Sequence, residues 1–248
     1  GRKRRTAIEN AEEAVYEEKK MEEMEVCFLM DRFGYMKLID KNAYERNKEA
    51  VHNENKYVFN CMNTDKICIF TDTGKMHTIK AVDIPLGRFR DKGTPVDNLS
   101  NYDSSQERML YVAPVGQLRS DRLLFVTKTS MCKLVEGAEF DVAKRTIAST
   151  KLADEDELIF IGSASEMEQI VLQSHGGCFL RFLAQEVSTM KKTALGVRGM
   201  KLADDDYLEH AYLLAGHQEY TISYHDKEYA LNKVRLAKRD TKGIKPRI

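Results

Sequence analysis

The chain has 248 residues and carries 39 basic and 39 acidic side chains, so its formal net charge is zero. Affinity for a polyanion would therefore have to come from uneven placement of charge, because the total supplies none. The five cysteines, Cys27, Cys61, Cys68, Cys132 and Cys178, are scattered without a C-x-x-C pair. That pattern argues against a disulfide frame or a zinc site and for reduced, mostly buried thiols. No apolar run reaches the eighteen residues of a membrane span and no signal peptide is present, so a soluble, cytoplasmic protein without a membrane partner is expected.

In chain order, residues 1–25 open with Arg2, Lys3, Arg4 and Arg5 and continue into a glutamate-rich run. Ile8, Ala11 and Val15 fall at helical spacing, but the apolar stripe is thin, which reads as a helical linker or arm. From Val26 the period changes to two. Hairpins are predicted at Val26–Met30 with Tyr35–Ile39, Lys66–Phe70 with Lys75–Ile79, and Arg122–Thr127 with Met131–Leu134. A fourth, Ile170–Ser174 with Cys178–Leu183, turns on Gly176-Gly177, and a fifth joins Tyr220–Tyr224 to Glu228–Leu231.

These turns recur at intervals of 40, 56, 47 and 50 residues, counted between positions 34, 74, 130, 177 and 227. A second phrase keeps the same step. Gly93–Leu99, Thr146–Leu152 and Gly196–Leu202 correspond, and Gly243-Ile244-Lys245-Pro246 begins it again and stops in mid-pattern, as in a piece of a longer protein. Two of these phrases run on into Leu-Ala-Asp-acid-Asp, at Leu152–Asp156 and Leu202–Asp206. Short strands repeated at this period predict an all-β array of about five four-stranded blades, each needing its neighbours to bury its faces. The blades should span residues 26–248.

The cations gather just before the recurring phrase. They are Arg88, Arg90 and Lys92; Lys144 and Arg145; Lys191 and Lys192, then Arg198 and Lys201; and Lys238, Arg239 and Lys242, then Lys245 and Arg247. Stacked blades would bring these loops to one rim as a curved basic stripe, with the acids of 154–157 and 204–206 displaced to another edge. Such a stripe suits double-stranded DNA. If each of four loops meets about two phosphates, the salt slope of binding is about −7. A curved rim would also bend the duplex.

The strand–Gly–strand unit, its basic loop, Gly196-Val197-Arg198-Gly199-Met200-Lys201-Leu202 and Leu202-Ala203-Asp204-Asp205-Asp206 together resemble the C-terminal domain of the A subunits of bacterial DNA gyrase and topoisomerase IV. The resemblance covers essentially the whole chain, with residues 1–25 similar to the segment leaving the enzyme's breakage–reunion core. It implies a β-pinwheel whose basic perimeter binds, bends or wraps duplex DNA and presents it for strand passage, controlling supercoiling or decatenation. It also implies a nucleoid-associated setting, with the breakage–reunion core and the ATPase B subunit for partners. ATP and magnesium would be used by the parent enzyme, with no cofactor in this segment. The gyrase type carries Gln-Arg-Arg-Gly-Gly-Lys-Gly in the loop of its first blade. Here the corresponding loop reads Tyr44-Glu45-Arg46-Asn47-Lys48-Glu49-Ala50-Val51, in which Arg46 and Lys48 keep some charge but the glycines are gone. Without them the backbone approaches a phosphate less closely, which points to a topoisomerase IV-like or weakly wrapping domain.

The six histidines form no metal-ligand cluster, Ser174-His175-Gly176-Gly177 is not a nucleophile elbow, and no phosphate-binding motif of full length occurs. No catalytic residues are expected in this segment. The alternative is a propeller that binds protein, in which case the loop charges are incidental.

Overall fold

The structure, a computed structural model, describes residues 22–247. The expected helix over 1–25 lies outside these residues except for its last four, where Glu25 already opens a strand. The elements follow in repeating groups. The first is β1 (Glu25–Met30), β2 (Tyr35–Ile39), α1 (Lys41–Arg46), α2 (Lys48–Glu54) and β3 (Tyr57–Met62). Next come β4 (Lys66–Thr71), β5 (Lys75–Lys80), β6 (Thr94–Pro95) and β7 (Met109–Pro114). The third group is β8 (Arg122–Thr127), β9 (Met131–Glu136), β10 (Thr146–Ala148) and β11 (Leu158–Ser163). The chain continues with β12 (Gln169–Ser174), β13 (Phe179–Leu183), β14 (Val197–Arg198) and β15 (Leu208–Leu214), then β16 (Thr221–Tyr224) and β17 (Lys227–Ala230).

The sheets are not built from consecutive strands. Three have four strands in the orders β3-β1-β2-β6, β10-β5-β4-β7 and β11-β8-β9-β14. A fourth, β13-β12-β15, gains its outer member from Ile244, which exchanges hydrogen bonds of 2.8 and 2.9 Å with Phe179. The hairpin β16–β17 is the fifth. Each blade's outer strand thus arrives only after the next blade's hairpin has formed: β6 follows β4–β5, β10 follows β8–β9, β14 follows β12–β13, and Ile244 follows β16–β17. The expectation of a strand-exchanged β-pinwheel is met. The fourth and fifth blades have fewer paired strands than the four expected.

Successive side chains of a strand point to opposite faces, and here both faces are buried, against different neighbours. Phe28 and Met30 pack with Ile67 and Ile69 of the second blade. On β4 the alternate residues Cys68 and Phe70 meet Leu123 and Phe125 of the third. Leu124 and Val126 meet Ile170 and Leu172, and Val171 meets the fifth hairpin at Tyr224 and Tyr229. The strands therefore read as continuous apolar runs. Three of the four buried cysteines, Cys61, Cys68 and Cys132, belong to these interfaces, and burial pushes the buried thiols up, Cys27 to about 11 and Cys132 to about 12.

The two ends of the stack differ from its interior. On the outer face of the first blade, Cys27, Leu29 and Ile39 pack under Ala43 of α1, Val51 of α2 and Phe89. On the fifth hairpin, Thr221, Ser223 and Glu228 leave the far face polar and exposed. No buried cluster among the described residues joins the first blade to the fifth.

Acidic side chains clamp the turns. Asp156 accepts hydrogen bonds from the Thr129 amide (3.1 Å) and hydroxyl (2.6 Å), and Asp206 accepts from the Gly176 amide (2.8 Å). In the second blade Glu107, 6% exposed, accepts from Thr71 (2.8 Å) and lies 2.8 Å from His77 Nε2, itself 1% exposed. Burial pushes the Glu107 carboxyl up, but hydrogen bonds from Thr71, the Asp103 amide and His77 outweigh it and hold the group below its ordinary value of 4.5. Its stabilisation is thus present above the unfolded-state value and is lost as pH falls through the lower folded value. Glu107→Gln should cost about 1–3 kcal/mol at pH 7, and in urea titrations the gap to the unsubstituted chain should close as pH drops below 4.5.

Gly196 has φ +105°, and a Cβ there would lie 2.6 Å from the Cys132 carbonyl oxygen. At Gly216 the nearest atoms belong to the exposed, movable Glu168 side chain. Gly196→Ala should cost about 2 kcal/mol or more and Gly216→Ala less than about 0.5 kcal/mol, measured by thermal or urea unfolding.

Candidate nucleic-acid interface

Strand exchange forces the chain along the outside edge of each blade before it enters the outer strand. In the first blade the segment pairs parallel with β2, the Gly87 amide donating to the Leu38 carbonyl at 2.9 Å. It then bulges through Arg88–Lys92 and returns antiparallel at Thr94 and Pro95. The third blade repeats this, with the Met190 amide donating to the Leu134 carbonyl at 2.7 Å, the loop 191–195, and Val197 and Arg198 on β9. In the fourth, Leu236 bridges Arg181 in parallel before Ile244 pairs with Phe179. Three of the predicted basic loops share this path, and the second, with Lys144 and Arg145, leads from a 3-10 turn straight into its outer strand β10.

The pairings align the loops residue by residue. Gly93, Thr146, Gly196 and Gly243 stand at one position, where the outer strand begins. Counting back from it, the first, third and fifth residues are exposed in every loop: Lys92, Arg90 and Arg88; Arg145, Ala143 and Asp141; Leu195, Thr193 and Lys191; Lys242, Asp240 and Lys238. The fourth residue turns inward, as Phe89 (buried) and Val142, Lys192 and Arg239 (half-buried). The second residue varies: Asp91, Lys144 and Thr241 are exposed and Ala194 is half-buried.

Of the residues expected to meet DNA, Arg88, Arg90, Lys92, Lys144, Arg145, Lys191, Lys238 and Lys242 are exposed in these loops. Lys92 lies 4.8 Å from the centre of the Tyr35 ring, and Arg145 donates to the Leu99 carbonyl at 3.1 Å. Lys192 takes the inward position. Arg239 donates to the carbonyls of Glu186 (3.0 Å) and Arg198 (2.8 Å), which makes it a structural tie. Arg198 is ion-paired with Asp240, whose carboxyl it holds below the usual range. Asp240 and Asp91 also sit inside basic loops, so the acids are less cleanly segregated than expected.

Residues 44–51 are not a loop. Asp40 accepts a hydrogen bond from the Ala43 amide at 2.7 Å and starts α1, and α2 runs on to Glu54. Arg46 ends α1 and Lys48 begins α2, both exposed, on an insertion that packs against Phe89 of the first basic loop. These two cations are presented by helices beside the first loop.

Sequence reasoning missed three lysines. Lys151 corresponds to Lys201 and lines a groove of about 680 Å³ with Lys144, Thr146 and Lys192, between the second and third loops. The matching groove beside Lys201 and Lys242 is mixed in charge, because Asp204 and Asp206 line it as well. Lys37 and Lys133, in the middle of β2 and β9, reach under loops 88–92 and 191–195. A lysine inside an otherwise apolar strand was the available signal. Among the described residues no cluster of His, Cys, Asp and Glu could hold a metal ion, and no helix is long and apolar enough to cross a membrane.

Strand exchange between blades, with cationic loops on their outer edges, defines a β-pinwheel with a cation-bearing rim. Comparison with solved structures gives the same fold. The C-terminal domain of DNA topoisomerase IV superposes with a TM-score of 0.79 at 22% identity, over 90% of this chain and 73% of that one. A DNA gyrase A C-terminal domain superposes with a TM-score of 0.59 at 18% identity, over 89% and 76%. In sequence, the DNA gyrase A subunit of Clostridium acetobutylicum is 28% identical over 210 residues, 80% of this chain and 25% of that protein. Residues 65–104, 121–165 and 168–215, more than half of the chain, match the family described as DNA gyrase C-terminal domain, beta-propeller. The chain belongs to this family, the C-terminal domains of type IIA topoisomerase A subunits. It spans about a quarter of the length of the curated relatives it matches.

The two classes of rim arginine should separate in a stability measurement. Arg239→Gln leaves the Glu186 and Arg198 carbonyls without their donor and should cost about 1–3 kcal/mol. Arg90→Gln should change stability by less than about 0.5 kcal/mol.

Proposed function

We propose that this domain binds double-stranded DNA along its rim and bends it, presenting a duplex segment to the breakage–reunion core of a bacterial type IIA topoisomerase. The observation that carries this reading is the register. Four rim loops at equivalent positions carry eight exposed cations, Arg88, Arg90, Lys92, Lys144, Arg145, Lys191, Lys238 and Lys242. Phosphate attraction requires cations spaced along a path and needs no base-reading groove.

The charge is graded along the path. The first loop shows three outward cations, flanked by Arg46 and Lys48, and the third shows only Lys191 at its outward positions. The duplex is held most strongly at the first blade and followed more loosely afterwards, which favours a weakly wrapping, topoisomerase IV-like guide over full wrapping. ATP and magnesium serve the rest of the enzyme. The partners are the core and the B subunit, in the cytoplasm.

Binding to a ~150 bp duplex across a salt series tests this. Eight cations engaging phosphates give a slope of log K against log salt of about −7, and Arg90→Gln lowers its magnitude by about 1. Compaction of the duplex accompanies binding only modestly. Failure to bind at low salt overturns the DNA reading and leaves a protein-binding propeller.

A further inference from the structure

Beneath two of the rim loops lies the same device, built from a lysine on the second strand of the hairpin. Lys133 is 1% exposed, and its Nζ donates to the carbonyls of Lys192 (2.8 Å) and Ala194 (2.6 Å). Half-buried Lys37 donates to the carbonyls of Phe89 and Asp91, the latter at 2.7 Å. Counted back from Gly196 and Gly93, these acceptors are the fourth and second residues in both loops. The correspondence extends further. The Ala194 amide donates to the Lys191 carbonyl at 3.0 Å, and the Asp91 amide donates to the Arg88 carbonyl at 3.1 Å, so each loop closes the same turn. The glycine after each turn has positive φ, and a Cβ there would lie 2.5–2.6 Å from the carbonyl oxygen of Met36 or Cys132. The loop is thus held close to the strand that carries the lysine.

From this geometry we infer that Lys37 and Lys133 are positioning residues that strap the first and third rim loops into the shape presented to the duplex. Two inward carbonyls per loop are fixed by one ammonium. With each turn held against its strand, the first, third and fifth side chains stay outward, Lys92, Arg90 and Arg88 in one loop and Leu195, Thr193 and Lys191 in the other. The other two loops are held differently. At the equivalent place β5 has His77, which is tied to Glu107 and Thr146, and β13 has Leu180, which has no donor to offer. A cation buried this deeply is stable only when its protons are satisfied, and burial pushes the Lys133 ammonium down to about 8. A loop ordered before binding loses less entropy on meeting the phosphates than one that must be ordered by them.

The inference rests on the DNA-binding reading, and its test separates the two. Lys37→Met and Lys133→Met are made in the whole chain, with Val135→Ala as a core truncation on the same strand that touches neither loop. Amide hydrogen exchange is followed at 88–92 and 191–195, and duplex binding is measured across a salt series. We expect Lys37→Met to speed exchange at least about tenfold in 88–92 alone, and Lys133→Met in 191–195 alone. Duplex affinity should fall about five- to tenfold for Lys37→Met with the salt slope unchanged, because the outward cations remain. Val135→Ala should lower stability without moving either loop signal or affinity. Unchanged exchange in the loops overturns the strap. Faster exchange with unchanged affinity overturns its role on DNA, as does a slope reduced by about 1 with quiet loops, which marks Lys37 as one more contacting cation. If the unsubstituted chain fails to bind duplex, the DNA reading fails and the role inferred here fails with it, while the exchange result still reports whether the strap exists.

Discussion

Everything distinctive about this domain depends on one constraint: no blade is complete until the next has begun. The outer edge of β2 waits for β6, which the chain reaches only after making β4 and β5. Neighbouring blades are therefore joined through a shared sheet as well as through apolar packing, and stability belongs to the array more than to any single unit. The same constraint produces the candidate site. To cross back, the chain must run parallel along a hairpin strand, reverse, and return antiparallel. That reversal has no place in the core and lies on the rim in the first, third and fourth blades, with its backbone fixed at both ends.

A fixed, turned loop is an economical way to display charge. The first, third and fifth residues are exposed in all four loops, so five residues offer at least three side chains to solvent. The loops differ in what they put there, from three cations in the first to a single lysine with a threonine and a leucine in the third. Charge can change at these positions without touching the packing beneath, whereas the inward position is structural in the first and fourth loops. Phe89 packs with the helical insertion, and Arg239 ties two carbonyls.

Much of this was legible in the sequence. The first four hairpins were visible because both faces of their strands are buried, leaving uninterrupted runs such as Leu123-Leu124-Phe125-Val126 bounded by turn residues, and the fifth because Tyr220-Thr221-Ile222-Ser223-Tyr224 alternates. The rim loops were visible because their cations recur with the blade. The outer strands were less so, since β6 and β14 are two residues long and carry no periodicity. The direction of individual side chains was not legible either. Lys192 looks like a solvent cation beside Lys191, and only the pairing of Val197 with Cys132 puts it on the inward side. The insertion at 41–54 was misread for a physical reason. Asp40 is a good helix cap, but a six-residue and a seven-residue helix broken at Asn47 are too short to show an amphipathic period, and they form because Ala43 and Val51 cover the end of the stack.

If duplex DNA follows the rim, the four loops are stations on a single path. Photo-crosslinkers placed one at a time at Arg90, Ala143, Thr193 and Asp240, the equivalent outward positions, test this directly on one end-labelled duplex of defined sequence. The mapped crosslinks should advance along the duplex in blade order, first to fourth, and fade at high salt. Crosslinks that fall at unordered positions, or that form from only one loop, would contradict a continuous DNA path around the rim.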